Sequence, residues 1–552
     1  MPRSILSLTL LAAFTFFLGL GRPAITDSDE AFYAEASREM VESGDWLTPR
    51  FNYENRWQKP VLYYWLTAAT YSVTGPTEWS ARLWSALSGL GLVLLTWGAA
   101  RQLTQREDAA WIAGAITATS YGYFAMARAA LPDLPLAFLI TLGIWTALQR
   151  RWLLAGMAAG LGFLMKGPIA LVVPGLVLIP IWWRERRDAP LRPRDVVVAG
   201  AVFAVVGLPW YVAMTLEHGT AYLESFFLAD NFERFATDRF NERRPLWFYL
   251  PIVLGGLLPW SGYLLALPWR FAAGVWHRTR RLTDVEWRLI IWAALPLIFF
   301  ALSIGQQPRY ILPVLPPLAI LLGRAIADRV RTAATSPAAA RELAIGTWIT
   351  VGLFSVLALL LMRARPLFIG ASPLLTSAAL GAMLASAVAL TAVMIRRQWH
   401  ALPLILPASA VVLLLSVQFG ALSGARPEPV EQMAALVDTH RAAGEPVGQY
   451  QTFVRNLVFY AGFPQAELFS EEAAVNFLQS PGRVLLVVDQ RDLPRLELLA
   501  GVQTTMLESV EYLDTAAIRL GTLLNPSPAE HVQRVLLVTN QSVQPTLRLS
   551  VQ

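Results

Sequence analysis

The sequence predicts a polytopic α-helical membrane protein carrying a small α/β domain at its C-terminal end. Three observations lead there. The 552 residues are 55% hydrophobic and 15% charged, with mean hydropathy +0.46, whereas a soluble domain averages roughly 25% charged residues. Apolar runs of about 20 residues, enough to cross ~30 Å of hydrocarbon, recur through the first ~420 positions. From about Gly424 the chain becomes less apolar and mixes helix-like stretches (PVEQMAALVDTHRAAG) with short strand-like runs (RVLLVVD at 483–489, RVLLVTN at 534–540), the pattern of an α/β unit.

Taken in order, the spans read near 5–20, 80–99, 109–126, 133–149, 152–165, 168–183, 196–215, 246–267, 288–304, 310–326, 343–362, 373–395 and 401–420, about thirteen in all, with a further apolar segment at 61–74. Ile5 to Leu20 after Arg3 also resembles a cleavable signal peptide. No small-x-small cleavage site follows it, and it is read as the first span. The expected division is 1–423 for the membrane domain, with outer loops at 21–60 and 216–245, and 424–552 for the α/β domain.

Arginine sets the orientation. The loop 184–194 (RERRDAPLRPR) holds five arginines and 270–288 holds five more; Arg324, Arg329, Arg331 and Arg341 fall in another loop, and Arg150, Arg151, Arg396 and Arg397 flank shorter ones. With thirteen spans all of these lie on the side of Met1, which the positive-inside rule makes cytoplasmic. The net charge of +6 is therefore topological and does not point to nucleic acid. The chain contains no cysteine, which excludes disulfides and thiolate metal sites. The five histidines show no metal-ligand spacing. The C-terminal part has no glycine-rich phosphate loop, HExxH or Ser-His-Asp spacing.

The unusual polar residues all map to the opposite, outer side. Asp27, Asp29 and Glu30 follow the first span, and Asp133 opens a later one in LPDLP. Asn231, Glu233 and Arg234 sit in ADNFERFATDRF, and Arg309 and Tyr310 sit in QQPRYILP. The only two lysines, Lys59 (after Gln58) and Lys166 (in FLMKGP), lie there too. A chain that otherwise uses arginine keeps lysine where a compact ammonium serves better than a planar fork. Acids and bases gathered on one membrane face suit a reaction on lipid-linked substrates.

Each also has a structural reading. Asp27 and Glu30 match a helix N-cap with its capping partner; Phe32, Ala36 and Met40 would then pack, with Glu35, Arg38, Glu39 and Glu42 facing water. Asp133 reads as a cap, Lys59 and Lys166 as snorkelling cations, and Arg309 as a boundary anchor. Tyr63, Tyr64, Trp65, Trp247, Phe248 and Tyr249 read as interfacial aromatics.

Several segments together resemble one family. DEAFYAEASREMVESGDWLTPRFN, QKPVLYYWL, EWSARLWSAL, LPDLPLAF, GFLMKGPIAL, LPWY, NFERFA, PLWFYLP and RYILPVLPPLAIL, in that order over residues 25–325, are similar to the bacterial aminoarabinose transferases that modify lipid A and to their protein O-mannosyltransferase-like relatives. The resemblance implies a GT-C membrane fold in the bacterial inner membrane. It implies transfer of a sugar from a polyprenyl phosphate to a lipid, glycan or protein acceptor on the periplasmic face, with inversion. It carries Asp29 and Glu30 onto the family's first acidic pair, Asp133 onto its second acidic site, and Lys59 onto the lysine that contacts the lipid phosphate. Arg234, Arg309 and Tyr310 lie in segments that approach the same pocket. Gln58 and Asn231 stand where the family implies a glutamate and a histidine as metal ligands. With neutral amides at both positions no metal or other cofactor is expected.

The chemistry expected of such a site follows from charge. A cation stabilises the leaving phosphate, and a carboxylate takes the acceptor's proton. Asp29 is the candidate base, Glu30 and Asp133 orient substrates, Lys59 holds the donor phosphate, and Arg234 and Arg309 assist. A flippase for a lipid-linked sugar and a surface-polysaccharide polymerase or ligase are the alternatives. A transporter should place ionisable groups near the midplane of its spans and often has duplicated halves; this sequence shows neither.

Overall fold

Apolar helices, long and short, fill most of the computed structural model, which describes residues 2–227, 244–266, 282–368, 370–424 and 426–541. A helix stands at each of the expected spans, from Pro2–Phe17 to Leu402–Val417. Six are long and apolar enough to cross a membrane, seven if the pair Pro193–Gly207 and Pro209–His218, bent by 44°, counts as one. The others are short or broken. The expected span 109–126 divides at Ser120 into Glu107–Thr119 and Tyr121–Ala127, and 246–267 divides into Leu246–Phe248, Tyr249–Gly256 and Ser261–Ala266. The chain enters Leu315–Thr332 through a 3₁₀ turn, Pro308–Val314, because its prolines cannot supply the amide donors of a full helix. The segment 61–74 is also helical, Leu62–Thr74.

Close approach between helices depends on small residues, as expected where packing rather than the hydrophobic effect holds spans together. A Cβ on Gly156 would meet the Ala199 carbonyl oxygen at 2.4 Å, and one on Gly160 would meet Val206 Cβ at 2.8 Å. The helix Trp152–Lys166 therefore lies directly on Pro193–Gly207. It ends at Gly167, whose φ of +79° favours glycine and leaves Lys166 at the helix terminus.

The arginine-rich loops that the sequence groups on one side are joined to one another. Arg184 pairs with Asp284 at 3.0 Å, Arg288 with Glu185 at 2.8 Å, Arg329 with Glu342 at 2.9 Å, and Arg106 with Asp328.

At the other end of the bundle, the helix Ser28–Ser43 leads into a hairpin of β1 (Arg50–Phe51) and β2 (Glu54–Asn55). The expected packing stripe holds, with Ala36 and Met40 buried, but the expected water-facing side of that helix is a correction. Glu35, Arg38 and Glu39 are buried rather than water-facing. The hairpin covers one side, with the Tyr53 amide donating to Glu39 at 3.0 Å, and Arg38 lies beneath Gly462 of the C-terminal part. A helical period shows only which faces are apolar, and here a second layer covers the polar face.

The C-terminal α/β part carries a five-stranded sheet in the order β4-β3-β5-β7-β6, with β3 Val447–Tyr450, β4 Ala466–Leu468, β5 Leu485–Asp489, β6 Thr505–Leu513 and β7 Val532–Thr539. The β3–β4 and β3–β5 pairs are parallel; β5–β7 and β6–β7 are antiparallel. Apolar side chains cover both faces of the central strands. This part is docked on the outer loops through polar contacts. Asn52 Nδ2 donates to the Gln465 carbonyl at 2.7 Å and Gln465 N to Asn52 Oδ1 at 2.8 Å. Tyr460 donates to Glu78 at 3.0 Å and accepts from Ile25 N at 2.7 Å. Arg426 meets Glu78 at 2.7 Å.

Candidate active site

A cavity of about 410 Å³ opens at the end of the bundle where the hairpin and the C-terminal part sit. It is lined by Asp29, Gln58, Lys59, Asp133, Lys166, Arg309 and Tyr310, with Phe32, Tyr33, Arg56, Phe300 and Arg455 among the remaining walls. Residues widely separated in sequence meet here because each lies at the terminus of an element. Asp29 is in the first turn of Ser28–Ser43, and Asp133 opens Asp133–Leu148. Lys166 ends its helix, and Arg309 lies in the 3₁₀ turn.

The ion pairs order the cavity. Asp133 is enclosed: Lys166 Nζ donates to its Oδ1, Arg309 Nε lies 3.5 Å from its Oδ2, and its side chain is 6% exposed. Asp133 therefore caps no helix, and Lys166 does not snorkel away. Arg309 also donates to Asp29, whose side chain is 44% exposed. Arg309 bridges the two acids rather than anchoring the bundle. Burial opposes ionisation of Asp29, but the Arg309 guanidinium, helped by Lys166, holds its carboxyl below the usual carboxylate range. Lys166 also lies 5.2 Å from the Tyr310 ring, which packs 5.5 Å from Phe300.

Five cationic side chains against two carboxylates line the cavity, so its field favours an anion. Lys166 and Arg309 are engaged with the acids. Lys59 reaches the same wall and acts electrostatically on Asp133.

Glu30 stands apart. It does not line this cavity. Arg82 holds it with two bonds of 2.6 and 2.9 Å, and it accepts from Ala130 N at 2.8 Å. Arg82 also donates to the carbonyls of Pro23 and Ala24 at 2.6 and 3.1 Å, which fastens the chain leaving the first helix. The capping box expected of Asp27 and Glu30 is thus half formed: Asp27 accepts from Asp29 N at 2.7 Å, while Glu30 is committed to Arg82. The structure thus does not bring Glu30 to the wall of this cavity with Asp29 and Asp133. Arg234 and Asn231 lie outside the described residues.

Of the aromatics expected in the interface, Trp247 is exposed, while Tyr63, Tyr64 and Tyr249 are in the core. Tyr63 and Tyr64 pack on Tyr33, each with ring centroids 5.3 Å away.

The donor set does not suit the metal that the resemblance implies. Gln58 brings a neutral amide to the wall, and among the described residues no cluster of three or more His, Asp or Glu side chains converges. A larger cavity, about 980 Å³, lies between the last helices and the C-terminal part. Along its wall three arginines, Arg82, Arg128 and Arg426, balance three acids, Glu30, Glu428 and Glu511, with Glu30 paired to Arg82 and Arg426 to Glu78 and Glu431. The smaller cavity, with its surplus of cations, is the better candidate for chemistry.

Comparison with known proteins agrees with this layout. A family model described as dolichyl-phosphate-mannose-protein mannosyltransferase matches residues 6–218. The undecaprenyl phosphate-α-4-amino-4-deoxy-L-arabinose arabinosyl transferase 2 of Pseudomonas fluorescens (strain Pf0-1) is 36% identical over 341 residues, 59% of this chain and 60% of that protein. A like-named transferase of Pseudomonas aeruginosa (strain LESB58) is 36% identical over 343 residues, 60% of this chain and 61% of that one. The match thus spans about three fifths of those relatives' length. Among solved structures, ArnT from Cupriavidus metallidurans bound to undecaprenyl phosphate superposes with TM-score 0.72 at 22% identity, covering 98% of each chain. The archaeal oligosaccharyltransferase AglB from Archaeoglobus fulgidus superposes with TM-score 0.53 at 13% identity, covering 94% of this chain and 75% of that one. The chain has the fold of these proteins, a GT-C-type helical membrane domain with a small C-terminal α/β part. Its sequence resembles that of the aminoarabinose transferases.

Proposed function

We propose that this protein is a glycosyltransferase of the bacterial inner membrane, which moves a sugar from undecaprenyl phosphate, or a closely related polyprenyl phosphate, to an acceptor lipid on the periplasmic face. Lipid A is the acceptor that the resemblance to aminoarabinose transferases favours. The observation that carries the reading is the single cavity holding Asp29, Asp133, Lys59, Lys166 and Arg309 at the bundle end remote from the arginine-rich loops. With the N-terminus and those loops in the cytoplasm, the cavity and the C-terminal part face the periplasm.

In this reading the acceptor oxygen attacks the anomeric carbon and the bond to the polyprenyl phosphate breaks on the opposite side. The leaving phosphate gains negative charge and Lys59 meets it, in a site where fixed charges act more strongly than in water. Asp29 is the more exposed of the two acids, and its engagement with Arg309 keeps it ionised. It is thus available to take the acceptor's proton. Asp133 is saturated by Lys166 and Arg309, which suits it to hold those cations and the sugar in place.

The test is a chase of radiolabelled sugar in proteoliposomes containing the purified chain, polyprenyl-phosphate-linked sugar and lipid A. Transfer moves label onto lipid A. Movement of the intact labelled lipid between leaflets, with none on the acceptor, would instead identify a flippase.

A further inference from the structure

We propose that Arg455, delivered from the C-terminal part, and Arg56, from the outer loop, form a clamp for an anionic group of the acceptor lipid. The clamp rests on the transferase reading above.

The C-terminal part carries no catalytic motif, yet it sends Arg455 into the wall of the cavity. The loop that does so is unusual. Gln451, Phe453 and Arg455 have φ of +54°, +55° and +76°, a region that disfavours residues with side chains and persists only where the surroundings impose it. Here several contacts impose it. The Arg455 amide donates to Gln449 Oε1 at 3.1 Å, Asn456 Nδ2 donates to the Ile25 carbonyl at 3.2 Å, and Phe453 packs against Tyr512 with ring centroids 4.8 Å apart. The reciprocal bonds between Asn52 and Gln465 hold the same part of the domain to the hairpin beside Arg56.

The two guanidinium groups converge on one ring. Arg56 Cζ lies 3.6 Å and Arg455 Cζ 4.4 Å from the centroid of Phe32. The aromatic face supports each cation without neutralising it. Arg455 Nε is buried and has no hydrogen-bond partner. The nearest carboxylate, Glu467, stands 3.9 Å away, too far for a hydrogen bond. Arg56 Nε donates to Tyr64 at 3.2 Å. Glu467 also feels Arg56, and Glu54 lies beside it, so of the two acids near these cations Glu467 is partly buried and Glu54 is exposed to water. Planar forks of this kind suit bidentate recognition of phosphate or carboxylate. Lys59 lines the same cavity and is assigned to the donor phosphate in the transferase reading, so the two anionic substrates have separate cations.

The experiment measures binding to the full-length chain in nanodiscs, which does not depend on turnover. The probes are undecaprenyl phosphate, diphosphoryl lipid A, and the same lipid A after phosphatase treatment. Arg455→Gln and Arg56→Gln are each expected to weaken diphosphoryl lipid A about tenfold or more, as for loss of a charged hydrogen bond. Both should leave undecaprenyl phosphate within about twofold of wild type, which also reports that the variants fold. Arg455→Lys should recover part of the loss, and dephosphorylated lipid A should bind wild type as weakly as diphosphoryl lipid A binds the variants. Unchanged lipid A affinity in both Gln variants would overturn the clamp. So would an equal loss for undecaprenyl phosphate, which would assign these guanidinium groups to the donor. A wild-type protein that binds the lipids as described but transfers no label would overturn the transferase reading alone.

Discussion

Asp29 and Asp133 have the same side chain and opposite situations. Asp133 is enclosed by Lys166 and Arg309, whereas Asp29 meets Arg309 and remains half open. Removing the enclosed acid leaves the partly buried Lys166 without its counter-charge and Arg309 with Asp29 alone, and breaking a buried pair costs about 3–5 kcal/mol. Asp133→Ala should therefore lower the thermal unfolding midpoint in nanodiscs clearly, and Asp29→Asn much less. The order should reverse for turnover. Asp29→Asn is expected to reduce transfer by about 10²–10⁴-fold, as for loss of a general base, without loss of undecaprenyl phosphate binding. The sign of the pH dependence follows from the lowered titration of Asp29. The folded protein favours the carboxylate, so its contribution is complete at neutral pH and is lost as pH falls through that lowered value. Transfer rates between pH 6 and 8 should show no limb from Asp29, with any acid limb below the ordinary aspartate range near ~4. Asp29, Asp133, Lys59, Lys166 and Arg309 were legible from residue type and position, since ionisable groups at span ends are costly unless used. Arg56 and Arg455 were not. Arginine is the chain's ordinary cation, and Arg455 reaches the cavity only through a tertiary contact that no local pattern announces.

The helix Ser28–Ser43 shows how an element departs from its own pattern. Its period is helical and Asp27 caps it as expected, but its polar face is covered. Burial, with Glu35 beside it, pushes the Glu39 carboxyl up to about 8. A group whose folded value is raised contributes stability in its protonated form. That contribution is complete below the ordinary glutamate value and is lost as pH rises through about 8. Unfolding followed by tryptophan fluorescence should therefore show a lower midpoint at pH 9 than at pH 6. Glu39→Gln should flatten that difference, and a wild-type midpoint that rises with pH would contradict the assignment. Burial of this kind depends on what packs on top, here the hairpin and Gly462, and sequence period carries no information about it.

Across the whole molecule, the apolar runs and the change near Gly424 were enough to anticipate helices followed by a small sheet. The breaks at Ser120 and within 246–266 were not, because proline and glycine mark where a helix is weak without stating whether it yields. Sidedness is open to direct test, since the chain has no cysteine. A single cysteine at exposed Arg187 should resist a membrane-impermeant maleimide in intact cells, and one at exposed Arg495 should react. The docking of the C-terminal part turns on Glu78, which receives both Arg426 and Tyr460. Glu78→Ala should speed proteolytic cleavage near residues 424–428 and weaken lipid A more than undecaprenyl phosphate. The most direct test of the convergent site is label transfer from polyprenyl-phosphate-linked sugar to lipid A by purified wild type, Asp29→Asn and Lys59→Gln in proteoliposomes, read beside undecaprenyl phosphate binding. Transfer should collapse in both variants, with donor binding lost only in Lys59→Gln; full transfer by Asp29→Asn, or unaltered donor binding in Lys59→Gln, would contradict it.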